Sequence, residues 1–163
     1  LYLEKEKSIT FTGHRIIPFI RQEEVRTQLT TVVALAYKSG ITCFYCGMAL
    51  GFDLMAAEAV LSLKDKFSDI QLIAVVPFSG QSSRWAFSEQ ERYHRILSQA
   101  NKVVTLSKDY FRGCLLRRND YMLSHSCGVI AYYDGKPKGG TFYTVRKAER
   151  MKMNVVNIYG KRG

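Results

Sequence analysis

Six short apolar runs, spaced by helical patterns from end to end, decide what this chain can become. They read SITFT (8–12), TCFYC (42–46), QLIAVVPF (71–78), KVVTLS (102–107), GVIAYY (128–133) and NVVNIY (154–159). Most are continuous rather than alternating, as expected where a parallel sheet is covered on both faces. Between them, Val25, Leu29, Val32, Val33 and Ala36 mark one helical stripe, and Phe52, Met55, Ala56, Ala59, Val60 and Leu63 a cleaner one. Residues 84–100, 114–126 and 141–152 carry further helical patterns. The alternation predicts an α/β fold: a single three-layer Rossmann-like domain over 1–163, core about 8–159, with a mostly parallel sheet of about six strands. A length of 163 residues, 47% of them hydrophobic, suits one such core.

No run of about 18 apolar residues exists, and charges interrupt the start LYLEKEKSITFTGHR where a secretory signal would be apolar. The expectation is a soluble, cytoplasmic protein with no membrane partner. Cys43 and Cys46 fall in one predicted strand, where positions three apart face opposite ways, and Cys114 and Cys127 form no second close pair. All four are read as small buried apolar residues, and no metal site is expected.

Charge is uneven along the chain. Residues 1–101 carry 11 Lys/Arg against 10 Asp/Glu, whereas residues 102–163 carry 13 against 4. A basic last third favours a phosphate-bearing partner, either a nucleotide or a nucleic acid, although a solubilising surface has the same composition.

Ligands of open parallel sheets bind beyond the carboxyl ends of the strands, where the strand-to-helix loops gather. Four of those loops, TGHR, GMALGFD, FSGQSSRW and YDGKPKGGT, are rich in Gly or short polar residues. In the first, Thr12, Gly13 and His14 lead to Arg15, a fork-shaped phosphate donor. In the second, Gly47 and Gly51 allow close backbone approach to a ligand, though the spacing is not that of a dinucleotide fingerprint. Asp53 either serves its helix start or meets ligand hydroxyls. In the third, Gln81 precedes Trp85, which either stacks on a base or packs the helix start onto the core. Arg117, Arg118 and Asn119 lie in the first half of a helix, where cations oppose the dipole unless an anion is near. In the last, Gly139 and Gly140 present successive N–H groups, and Thr141 is placed to cap the helix and to bond a phosphate oxygen.

Taken in order, FTGHR, GMALGFDLMAAEAVL, PFSGQSSRWAFSEQERYHRIL, LLRRNDYML and KGGTFYTV resemble the YpsA-like branch of the SLOG superfamily, small Rossmann-like proteins of which some are encoded by phages. The resemblance implies a pocket for a nucleotide-derived ligand, built from the first loop, the Gly-rich second loop and the GGT loop. Two cousins define rival functions. GMALGFDLMAAEAVL and RRND are also similar to stretches of the DNA-processing protein DprA, which implies single-stranded DNA as a partner. The LOG-type phosphoribohydrolases carry P-G-G-x-G-T-x-x-E, with the acid in the catalytic machinery. Here Lys138 stands in place of the proline, the x-G before Thr141 is missing, and Thr144 occupies the glutamate position. The expectation is therefore a nucleotide-binding sensor or adaptor rather than an enzyme. Asp53 and His14 are the candidates for any proton transfer, no cofactor is implied beyond the nucleotide-type ligand, and self-association is left open.

Overall fold

The computed structural model describes residues 4–160, so the termini of the expected domain, 1–3 and 161–163, lie outside the described residues. All six apolar runs are strands: β1 (Ser8–Gly13), β2 (Cys43–Cys46), β3 (Gln71–Val76), β4 (Lys102–Thr105), β5 (Gly128–Tyr132) and β6 (Asn154–Asn157). They form one sheet in the order β4-β3-β2-β1-β5-β6, with every neighbouring pair parallel. The expected "mostly parallel" sheet is thus parallel throughout. Strand ends stop short of the apolar runs for local reasons. β3 ends at Val76, paired with Thr105, just before Pro77, which has no N–H to extend the ladder. After β6, the Asn157 side chain takes over, accepting from the N–H of Tyr133 and of Tyr159 and donating to the Tyr133 carbonyl.

Five helices connect the strands: α1 (Phe19–Lys38), α2 (Phe52–Ser62), α3 (Phe87–Gln99), α4 (Cys114–Ser124) and α5 (Gly139–Arg150). From β1 to β4 the chain steps in one direction across the sheet, then crosses to β5 and steps the other way. Right-handed crossovers consequently put α1, α2 and α3 on one face and α4 and α5 on the other. The helix contacts follow, α1 with α2, α2 with α3, and α4 with α5.

Alternate residues of each strand feed the two faces. Phe11, Phe44 and Cys46 join Leu29, Phe52 and Ile96 under the first set of helices, while Cys43, Tyr45, Ile73 and Val75 pack on Met122 of α4. Cys43 and Cys46 therefore lie on opposite faces, as the period of two requires. Cys114 is also buried, but Cys127 is exposed and corrects the expectation of four buried thiols.

Two helices differ from their sequence patterns. α2 has no polar face to speak of: Phe52 through Ala57, Ala59 and Val60 are all buried, because α2 is the middle helix of three. Asp53 is carried inside with them. α3 begins at Phe87 rather than Arg84, since Gln81, Ser83 and Trp85 close successive turns through their N–H groups. Gln90 secures these turns by donating to the carbonyls of Ser83 and Trp85. No helix among the described residues is long and apolar enough to cross a membrane.

The turn into α2 depends on Gly51, whose φ is 78° and whose hydrogen faces the first loop. A Cβ there would lie 2.2 Å from the Arg15 carbonyl oxygen, an approach that only moving the backbone could relieve. Gly51→Ala is expected to lower unfolding free energy by about 2–4 kcal/mol, from left-handed strain plus overpacking. Urea denaturation of the two proteins measures it.

Candidate functional site

Strand order reverses at β1. The chain leaves β1 toward β2, yet later arrives at β5 on the other side of β1, so the loops after β1 and β5 part in opposite directions. Crevices in open α/β sheets form at such a point. Here it opens into a cleft of about 440 Å³. Thr12, Gly13, His14, Arg15, Asp53, Arg118, Asn119, Gly139, Gly140 and Thr141 all line it. Gly47, Gly51, Gln81 and Trp85 do not. Lys138 joins the lining, as do Leu115 and Leu116 from the first turn of α4 and Tyr110 and Gly113 from the segment between β4 and α4. That segment was absent from the sequence-based loop set. Its signal, an aromatic pair and a glycine in DYFRG just before a helix, is a generic helix entry.

One wall consists of donors. α5 starts at Gly139, and no side chain caps its first turn. Thr141 lies inside the helix, not at its cap, which corrects the capping expectation, but it remains buried at the cleft wall. The uncapped N–H groups carry the positive end of the helix dipole. Asn119 Oδ1 accepts from Arg118 Nε at 2.8 Å, which fixes the amide orientation. Its Nδ2 then faces Gly140, where a Cβ would sit 3.7 Å from that nitrogen. Exposed Arg15 and Lys138 add positive charge at the rim.

Another wall carries the one carboxylate among the lining residues. Asp53 is 6% exposed, and its Oδ2 accepts the Ala49 N–H at 3.2 Å. Its Oδ1 is buried with no partner. Burial pushes its carboxyl up to about 6, against the opposing pull of Arg118, the Ala49 N–H and Arg15. Arg118, 5% exposed, does not close on this carboxylate. Its Nη1 donates to the Gly47 carbonyl and its Nε to Asn119, so it acts on Asp53 through space. Arg118 is thus compensated within the protein, by the Gly47 carbonyl, Asn119 and the nearby Asp53. Arg117, its neighbour, is exposed over the Phe111 ring at 5.8 Å.

The remaining predicted residues have structural duties. Gly47 makes room for Arg118: a Cβ would lie 2.7 Å from the guanidinium. Gln81 donates to the Gly47 carbonyl at 3.2 Å and accepts from Tyr93 Oη at 3.2 Å. Trp85 stands edge-on to Tyr93 at 5.1 Å and lies at the margin of the core. His14 Nε2 accepts the Asp134 N–H at 2.9 Å, and its carbonyl accepts the Phe52 N–H at 3.1 Å. It therefore ties the first loop to the β5–α5 loop and to α2. Thr144 is fully buried, off the cleft, with Oγ1 unpartnered.

An all-parallel six-stranded sheet with helices on both faces defines an α/β domain of Rossmann-like type, and its switch point holds a cleft with a donor wall and a solitary carboxylate. Residues 11–159 match the YpsA model, described as the YspA SLOG family, and the chain belongs to that family. It is 30% identical over 151 residues to a UPF0398 protein of Halalkalibacterium halodurans, covering 91% of this chain and 77% of that one. It is 28% identical to the UPF0398 protein YpsA of Bacillus subtilis, over 63% of this chain and 58% of that protein. The SPbeta prophage-derived protein YoqJ of Bacillus subtilis is also 28% identical, over 68% and 72% of the two chains. Among solved structures, the DNA processing protein A of Helicobacter pylori, described in its single-stranded DNA binding mode, superposes with a TM-score of 0.65 at 19% identity. The match covers 93% of this chain and 64% of that chain.

Two expectations about stability follow. A carboxyl group whose folded value, about 6, exceeds its unfolded value of 3.8 holds its proton more tightly when folded. Ionised Asp53 therefore costs stability above about pH 6, and the cost fades as pH falls through 6 toward 4. Asp53→Asn should raise unfolding free energy at pH 7.5 by about 1–3 kcal/mol, with the gain vanishing near pH 4. Denaturant titrations at the two pH values read this out. Arg118→Ala should cost about 3 kcal/mol by leaving Asp53 without its nearby cation and Asn119 Oδ1 without its donor. Arg117→Ala should stay within about 0.5 kcal/mol.

Proposed function

We propose that the switch-point cleft binds a nucleotide or nucleotide-derived ligand and that the domain acts as a sensor or adaptor. The observation that carries this reading is the opposition of walls: the uncapped start of α5 with Asn119 Nδ2 on one, and the unpartnered Asp53 Oδ1 on another. A phosphate suits the first wall, with Arg15 and Lys138 reaching it from the rim. A ribose hydroxyl suits the second, because Oδ1 accepts and a second anion there would be repelled. His14 holds the cleft in shape by tying the first loop to the β5–α5 loop and to α2.

Calorimetric titration with AMP, ADP-ribose, NAD and cyclic AMP tests the reading. Binding at millimolar concentration or tighter is expected, weakened about tenfold or more by Arg15→Ala and by Asp53→Asn. Because Asp53→Asn is expected to stabilise the fold, its loss of binding would not reflect unfolding. Absence of heat with every nucleotide at millimolar concentration, with the fold intact, would sink the proposal.

A second reading, single-stranded DNA, draws support from the fold it shares with DNA processing protein A and from the basic last third. Its signature is affinity that falls steeply with salt and drops with Arg117→Ala, whose side chain is free to reach a phosphate. Nucleotide N-glycoside hydrolysis would call on Asp53 or His14 for proton transfer, both of which line the cleft, and burial pushes the Asp53 carboxyl up to about 6, where it can give and take a proton near neutrality. Free base released from nucleoside monophosphates, and lost in Asp53→Asn, would establish it.

A further inference from the structure

The main cleft has a neighbour. A smaller chamber of about 180 Å³ shares Arg15, Ala49, Tyr110 and Leu115 with it. Beyond this, a cavity of about 450 Å³ opens among Phe78, Trp85 and Tyr110. Tyr110 lines all three, and Arg15 lines both the main cleft and the junction.

The far cavity is aromatic in a way that core packing does not explain. Phe78 and Tyr110 meet edge to face, with centroids 5.4 Å apart, yet Tyr110 is 62% exposed. Trp85 is supported from behind by Tyr93, and its loop is pinned by Gln90 and Gln81, while it also lines the open cavity. Exposed Arg84 adds a cation at the same place. Held aromatic surfaces facing an open space beside a phosphate-type site are what a flat heterocycle stacks on. A chamber of 440 Å³ is enough for one nucleotide, leaving the aromatic cavity for something further.

We propose that the ligand contains two nucleoside units joined through phosphate, with the linkage at Arg15 and the second heterocycle among Phe78, Trp85 and Tyr110. This rests on the nucleotide reading of the main cleft and extends it. The linkage is either a pyrophosphate, as in a free dinucleotide, or a phosphodiester, as in a DNA strand.

Trp85 is the single tryptophan and lines the aromatic cavity and the junction but not the main cleft, so its fluorescence reports on occupation beyond the main cleft. The experiment titrates AMP against NAD, and dTMP against the 5′-phosphorylated dinucleotide of thymidine. The two-unit member of at least one pair is expected to bind about tenfold tighter than its single-unit partner and to change Trp85 emission. Phe78→Leu should shrink that ratio toward one, and because the ratio takes the mononucleotide as its own reference, partial loss of folding does not imitate the result. The responding pair identifies the linkage. Equal affinities with unchanged emission would overturn the two-unit ligand while leaving the mononucleotide cleft standing. No binding by any of the four would overturn both.

Discussion

Arg118 reaches from α4, the helix that carries the chain across the sheet, to the carbonyl of Gly47 at the end of β2, and so braces together the two halves of the fold that part at β1. A guanidinium this deeply buried must be compensated, and the compensation organises its surroundings. Gly47 lacks a side chain because a Cβ would meet the guanidinium, and Asn119 is oriented by Nε. Gln81 shares the same carbonyl and links the brace to Tyr93 on α3. Asp53 completes the charge balance from α2 without touching the cation, which is why one of its oxygens has nothing to bond. The orphan acceptor is thus a consequence of how the two halves are held.

Three departures from good packing practice converge near one crevice. α5 begins without a cap, Asp53 keeps a buried oxygen unsatisfied, and Tyr110 holds an aromatic ring in solvent. Each lowers the stability of the empty protein, and each is of a kind that a bound molecule repairs: an anion for the helix start, a hydroxyl for the carboxylate, a ring for the tyrosine. Elsewhere the charged contacts close among themselves. Arg92 is held by Glu58 and Glu89, and Asp120 takes both Lys147 and Tyr143.

The architecture was legible because parallel strands buried on both faces leave continuous apolar runs, and all six were found. Less legible was anything that depends on which helix lies in the middle. The stripe on α2 gave no sign of how deep the helix lies, whereas its neighbours α1 and α3 bury residues beyond the stripe as well. The glycines were identified as special for a reason that proved different: Gly47 and Gly51 admit Arg118 and the Arg15 carbonyl, contacts across 71 and 36 positions of sequence that no local pattern encodes. Arg117 and Arg118 are indistinguishable as letters, and a rotation of one residue along α4 separates a solvent-facing cation from a buried brace. The GGT loop was found at the cleft, but the register of the helix moved Thr141 from the cap to the first turn.

That register also bears on chemistry. In the phosphoribohydrolase motif the acid would fall at position 144, and here Thr144 faces the interior, away from the cleft lined by Thr141 three residues earlier. Lengthening the side chain at 144 would drive a carboxylate among Val145 and Ala148 on the apolar side of α5 rather than toward a ligand. The missing x-G insertion offers a physical reason, since two residues fewer before α5 change which face of the helix meets the crevice. Among the residues lining the cleft, Asp53 is the one carboxylate, and it reaches the site from the opposite helix. Any carboxylate chemistry in this cleft would therefore start from α2, with a placement unrelated to that of the hydrolase acid. The absence of a glutamate at position 144 weighs against one mechanism, while Asp53 is a carboxylate placed at the cleft independently of that motif.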